Sequence, residues 1–279
     1  MKKVILVIVL FYSIFISFGQ VGWQQIFPTS KKANTFNLTL KNNFILAGSK
    51  SIPMLMEWDI FQTDSMGNIE WDTTFQRPGF GFPVCVEPTA DSGYIIMGFE
   101  EPAVYFLKFN KNNSFEWESS INVNYGDITE IRSMVLAKNN NYIAIGDIET
   151  PDKGVFLLKI DNNGDTLWTK THLRNTDSRG ISIVPAIDSG YCCLARTSYL
   201  KTTLMKLNEN GDTLWTKMID STFESSSMIA TNDSCLLIAG HKGYNKIVYC
   251  KIDNYGNKLW TKEYNEDSRC KCDIIIKFS

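Results

Sequence analysis

Histidine is scarce in this chain, with two in 279 residues, and neither His172 nor His241 stands in an HExxH or another metal-ligand spacing. No GxSxG elbow occurs, and no Ser–His–Asp arrangement is marked by spacing. Lysine and arginine never run beyond pairs and the formal net charge is −2, so there is no basic stripe for nucleic acid. Glycine (18) and proline (8) are near average, which excludes collagen-like and low-complexity chains. Aromatic residues at 13% and balanced charge exclude a disordered chain. No cofactor-binding or metal-binding motif is found.

Long apolar runs are absent except at the front. Lys2 and Lys3 precede an apolar stretch from Val4 to Phe18, with Ser17 and Gly19 as small residues before Gln20. This pattern describes a secretory signal peptide over residues 1–19, and the run is short for a span, which needs about 20 residues. The expectation is a secreted, periplasmic or cell-surface protein, not membrane-held after cleavage, with residues 20–279 as one domain. The first cysteine is Cys85, so no lipid-attachment cysteine follows the cleavage point.

What the sequence does contain is a repeat. Trp23, Trp71, Trp117, Trp168, Trp215 and Trp260 are spaced 48, 46, 51, 47 and 45 residues apart, and only Trp58 falls outside the series. The later five close related segments: FQTDSMGNIEW, KFNKNNSFEW, KIDNNGDTLW, KLNENGDTLW and KIDNYGNKLW, the last three continuing as WTK. A second marker has the same period: FILAG ending at Gly48, YIIMG at Gly98, YIAIG at Gly146, YCCLA at Ala195 and LLIAG at Gly240. Within a period, four short β-rich runs alternate with Gly, Asn, Asp and Pro clusters, and DNNGD reads as a tight hairpin. Four strands in about 45–50 residues make one propeller blade. The fold class expected is all-β, a β-propeller of four-stranded blades, with five full blades and a partial sixth from the termini. In that partial blade, 273–279 pairs beside a strand around Gly22–Phe27. Spacing gives a competing reading in which Asp273 starts a blade that the chain does not complete.

The segments (SG)YIxxG and LxKxDxxGDxLWTK resemble the extracellular propeller repeats common in secreted Bacteroidetes proteins. They are more distantly similar to the repeats of pyrroloquinoline-quinone-type propellers and to the Asp-box hairpin of sialidases. The resemblance implies that the repeated tryptophans (Trp23, Trp71, Trp117, Trp168, Trp215 and Trp260) dock one blade against the next. Two positions depart from the pattern: Asn113 replaces the turn glycine and Ala195 the strand-end glycine, so irregular turns are expected there.

The candidates for chemistry are few. Asp161, Asn163 and Asp165 alternate like calcium ligands, but Gly164 stands at position four of that loop where an EF-hand has it at six, so the hairpin turn is preferred. The two histidines read as unligated loop residues. The six arginines (Arg77, Arg132, Arg174, Arg179, Arg196 and Arg269) read as scattered surface charges, although a fold could gather some of them to hold an anion. Glu100–Glu101 reads as a solvated pair. Seven cysteines leave at least one unpaired. Cys235 and Cys250 flank a hairpin centred near Lys242–Gly243 and are candidates for a disulfide. Cys192 and Cys193 point to opposite faces of one strand.

The function expected is a non-catalytic binding or interaction module for a glycan or a surface protein, with Phe80, Phe82, Tyr125 and Tyr199 among its loop aromatics. The alternatives are a glycoside-processing or quinoprotein-like enzyme, and a structural fragment of a larger surface protein. Acids and arginines clustered on one face mark the enzyme. Exposed aromatics repeated between blades mark the lectin.

Overall fold

The computed structural model describes residues 33–265, less 40–42, 53–54, 79–80, 101–102, 123–127, 150–152, 198–200 and 244. The expected signal segment 1–19, Trp23, and the terminal strands expected at 22–27 and 273–279 lie outside these residues. Twenty strands form five four-stranded antiparallel sheets, each a meander in chain order. Sheet one holds β1 (Thr35–Leu38), β2 (Phe44–Ile52), β3 (Leu55–Thr63) and β4 (Ile69–Pro78). Sheet two holds β5 (Phe82–Pro88), β6 (Tyr94–Glu100), β7 (Ala103–Phe109) and β8 (Phe115–Asn122). Sheet three holds β9 (Ile128–Leu136), β10 (Tyr142–Ile148), β11 (Gly154–Ile160) and β12 (Thr166–His172). Sheet four holds β13 (Ser178–Pro185), β14 (Tyr191–Thr197), β15 (Lys201–Leu207) and β16 (Thr213–Asp220). Sheet five holds β17 (Glu224–Ala230), β18 (Leu236–Lys242), β19 (Lys246–Ile252) and β20 (Lys258–Asn265). No helix among the described residues is long and apolar enough to cross a membrane.

The described chain divides into two compact units, one with sheets one and two, the other with sheets three to five. In the first unit, β5 packs across β1, β2 and β3. Its core gathers Ile45, Ile60, Val86, Ile96, Leu107 and Phe109 around Trp58, which is fully buried. The Trp58 indole nitrogen donates to the Gly81 carbonyl at 2.9 Å, so the ring is buried with its polar handle satisfied. In the second unit, β13 packs on β9, β10 and β11, and β17 on β13, β14 and β15. Cys192 belongs to the core shared with β17–β19, Cys193 to the core shared with β10 and β11. The two thiols therefore do point to opposite faces of β14.

The period-defining residues have separable physical jobs. The Trp168 ring lies against Gly211 in the β15–β16 turn, where an added Cβ would stand 2.5 Å from it, and the Trp215 ring lies likewise against Gly256, at 2.9 Å. In each WTK the lysine two residues on shares the tryptophan's face. Lys170 sits 5.4 Å from the Trp168 ring and Lys217 5.5 Å from the Trp215 ring. Each of these lysines also bonds the next sheet's turn, Lys170 to Asp212 at 2.5 Å and Lys217 to the Tyr255 carbonyl at 2.5 Å. Trp260 has the matching lysine, Lys262 at 5.3 Å, but it is 38% exposed. Trp71 meets Phe109 edge-on at 5.9 Å. Trp117 is half-buried on β8.

The turn at Asn113 is regular, contrary to expectation. Asn113 takes φ 62°, and its turn closes with the same two backbone bonds as the turn at Gly164, because asparagine tolerates the left-handed region. Inside sheet two, Lys108 is 1% exposed and donates to Asp91 at 2.8 Å and Glu116 at 2.9 Å. Lys206 with Asp188 and Lys251 with Asp233 repeat the arrangement in sheets four and five.

The YIxxG marker has a backbone cause. In sheets two to five the pairing of the first two strands slips by one residue beside the marker, leaving Val84, Arg132, Ile181 and Ser226 as the extra residues of β-bulges, and in sheet three it slips again past residue 129. The bulge brings the first strand's carbonyl over the second strand, and a Cβ at Gly146 or Gly240 would overlap the Glu130 or Glu224 carbonyl oxygen. In sheet four the glycine has changed sides, since Ala195 pairs with Gly180. That exchange accommodates the departure at Ala195.

Two outcomes test this account. Gly240→Ala should lower stability by about 3 kcal/mol or more in urea titration, because the methyl group has no space. Ala195→Gly should cost about 1 kcal/mol or less. Separately, Glu87 on β5 faces Asn37 of β1, whose amide donates to it at 3.3 Å, and burial pushes its carboxyl up from 4.5 to about 8. A raised folded-state value favours the folded chain fully below pH 4.5, and that contribution is lost as pH rises through about 8. Glu87→Gln should flatten the fall in stability across that window, measured by denaturation at pH 5 and pH 8.

Candidate functional site

The end of the second unit where the second strands finish and the first strands begin is charged. There β9 supplies Glu130 and Arg132, β10 Asp147, β13 Arg179, β14 Arg196, β17 Glu224 and β18 His241. Register sets most of this. Glu130 pairs with Asp147, Arg179 with Arg196, and Glu224 with His241, so three equivalent positions of the repeat carry charge or imidazole on both strands.

Arg132 is the centre of the group. As the extra residue of its bulge it is released from cross-strand pairing, and bulges of this kind re-aim side chains. Its side chain is 16% exposed and its guanidinium is ion-paired to Asp147, itself 8% exposed, and to Glu130 at 2.5 Å. The same guanidinium donates to the Gly180 carbonyl of the next sheet at 3.1 Å. It reaches because Gly180 lacks a Cβ, which would stand 2.5 Å from the Gly146 carbonyl oxygen. Burial lowers the Arg132 pKa, Glu130 raises it, and the nearby Arg179 and Arg196 lower it again. The three arginines therefore feel one another.

Arg196 donates to Glu224 Oε2 at 2.7 Å, and His241 Nε2 lies 3.7 Å from that same oxygen. His241 Nδ1 is buried with no hydrogen-bond partner among the described residues. Arg179 is exposed and makes no hydrogen bond or ion pair among the described residues. The site thus contains two guanidiniums fixed by carboxylates and a third that is free to take an incoming anion. The histidine was read as lying in a turn, but it is part of strand β18.

The other sequence candidates lie elsewhere. Asp161 Oδ1 accepts from the Asn163 and Asp165 amides at 2.8 and 3.0 Å, so that oxygen is spent on its own turn. His172 accompanies Thr213 at 3.0 Å, and burial lowers its pKa. Phe82 is 38% exposed at the start of β5, while Phe80, Tyr125, Tyr199, Arg269, Cys270 and Cys272 lie outside the described residues. The disulfide expected between Cys235 and Cys250 is not formed, and both are free thiols. The β18–β19 register pairs Lys242 with Lys246, which centres the hairpin on residue 244 and sets Cys250 opposite Ile238. A shallow depression of about 340 Å³ at the turns of sheet four is lined by Asp188, Ser189, Asn208 and Leu214 among others, and its Asp188 is already paired with Lys206.

Arg132→Met should lower stability by about 3 kcal/mol, because it strands the buried Asp147. Arg179→Ala should stay within about 0.5 kcal/mol of the parent, as expected for an unpartnered surface residue. Chemical denaturation of the two variants side by side checks both.

No protein-family model matches the chain, and none of the curated proteins does. Solved structures share its fold. A Bacteroides caccae protein of unknown function superimposes with a TM-score of 0.59 at 13% identity, over 87% of this chain and 85% of its own. A catalytically inactive histidine-to-alanine variant of virginiamycin B lyase from Staphylococcus aureus, with quinupristin, gives 0.59 at 15% identity, over 88% and 73%. The cobalt-substituted apocarotenoid oxygenase of Synechocystis gives 0.53 at 11%, over 84% of this chain and 60% of the oxygenase. The likeness is one of fold, to propeller-like proteins that include a lyase and an oxygenase.

Proposed function

We propose that the chain is an exported β-propeller acting as a non-catalytic binding module, for a glycan or a surface protein, and that its ligand sits at the charged end of sheets three to five. The observation that carries this is Arg179, a guanidinium unpaired among the described residues beside two that are held by carboxylates. Five meander sheets, with a tryptophan–glycine contact between sheets three and four and again between sheets four and five, support the propeller architecture, and the front of the sequence supports export. A binding site needs a fixed polar frame with unused donors. Ion pairs that hold Arg132 and Arg196 supply the frame.

A second reading has its own observations: acids and arginines gather at one end of the second unit, the mark given above for an enzyme, and a histidine lies among them. His241 stands beside Glu224 with an unpartnered nitrogen, the arrangement of a general base with a carboxylate orienter. A lyase of similar fold has a catalytically inactive histidine-to-alanine variant. Under this reading the site would transform its ligand as well as hold it.

The test is a broad glycan array probed with residues 20–279 in the presence of calcium, followed by mass analysis of any ligand incubated with the protein. Specific binding at micromolar strength, with the ligand recovered unchanged, is the expected result. A ligand altered by the parent chain but not by His241→Ala would install the enzyme instead. A clean negative from folded monomer removes the glycan, and pull-downs for a protein partner follow.

A further inference from the structure

The charge balance at the site narrows the ligand. Three guanidiniums (Arg132, Arg179, Arg196) face three carboxylates (Glu130, Asp147, Glu224), so their charges balance. A polyanion gains little there, because every additional negative group meets a carboxylate. A wholly neutral ligand leaves Arg179 unused. Glu130 and Glu224 are each partly exposed and keep acceptor capacity beyond the arginine they hold, since a carboxylate has about four lone-pair sites. Such acceptors suit hydroxyl donors.

Resting on the proposal that this end binds the ligand, we infer that it takes an acidic sugar, one carboxylate on a polyhydroxylated ring, with Arg179 receiving the carboxylate. A planar guanidinium matches a carboxylate through two parallel hydrogen bonds, and Arg179 is the one of the three with none of its donors engaged among the described residues, where Arg196 spends one on Glu224. Arg132 and Arg196 act as positioning residues: they fix Glu130 and Glu224 where ring hydroxyls can donate to them. An acidic peptide, with several carboxylates close together, is disfavoured by the same three acids.

The experiment uses residues 20–279 and a panel of oligosaccharides bearing uronic or ulosonic acids, their methyl esters, matched neutral oligosaccharides and hexaglutamate, with affinities read by calorimetry. Binding of an acidic oligosaccharide, weakened at least 10-fold by esterification and at least 10-fold by Arg179→Ala, is the expected result. Arg174→Ala, an arginine away from the cluster, should leave it unchanged, and circular dichroism should show both variants folded. A neutral sugar bound equally by parent and Arg179→Ala would overturn the inference while leaving a binding module. Hexaglutamate bound in preference to every sugar would overturn the sugar class. No binding by the folded chain to any probe would overturn the inference, and a further negative on the broad array would overturn the glycan reading with it.

Discussion

Gly180 comes so near sheet three that a single added carbon would stand 2.5 Å from the Gly146 carbonyl oxygen. This approach of backbone to backbone is what the charged end rests on. It lets the Arg132 guanidinium cross from one sheet to the carbonyl of the next while still holding two carboxylates. A side chain at Gly180 would hold the two sheets apart, and the arginine would then have to choose between its own sheet and its neighbour. The electrostatics of the cluster are thus set by packing distance before they are set by charge.

The outer parts of sheets three and four are held differently. There a tryptophan ring lies on a turn glycine of the following sheet, and a lysine spans the ring to bond the same turn. Both glycines have positive φ, 79° at Gly211 and 77° at Gly256, so a single residue meets a conformational demand and a steric one together. The lysine covers aromatic surface with its stem and keeps its ammonium on polar atoms, which is how long cationic side chains take part in packing. Inner contacts place the strands, and outer contacts lock the sheets in order.

Much of this was legible in the sequence, for physical reasons that particular residues show. Trp168, Trp215 and the glycines beneath them recur because each interface repeats the same steric problem, so a fixed period appears in the letters. Trp58 breaks the period and is nevertheless the most buried tryptophan described; by register it fills a place that other sheets give to Val104, Val155, Thr202 and Ile247, and no spacing rule marks it. Arg132, Arg179 and Arg196 looked scattered because their proximity depends on strand register and on the bulge, and a one-residue slip sends a side chain to the other face. The same sensitivity misplaced Cys235 against Cys250, since a small error in the hairpin centre moves every cross-strand partner. Positive φ at Asn113 was within reach of sequence reasoning, because asparagine is the residue that replaces glycine there at least cost.

The bulge itself recurs with four different occupants: Val84, Arg132, Ile181 and Ser226. Because that residue has no cross-strand partner, its identity can drift without altering the register of the strands around it. Each of these four repeats therefore carries an evolvable slot beside a constrained ladder. An apolar occupant lets the slot serve the core, and an arginine turns it toward charge recognition. Duplication of such a unit multiplies sites at which new chemistry can be tried singly, with the neighbouring copies preserving the architecture meanwhile.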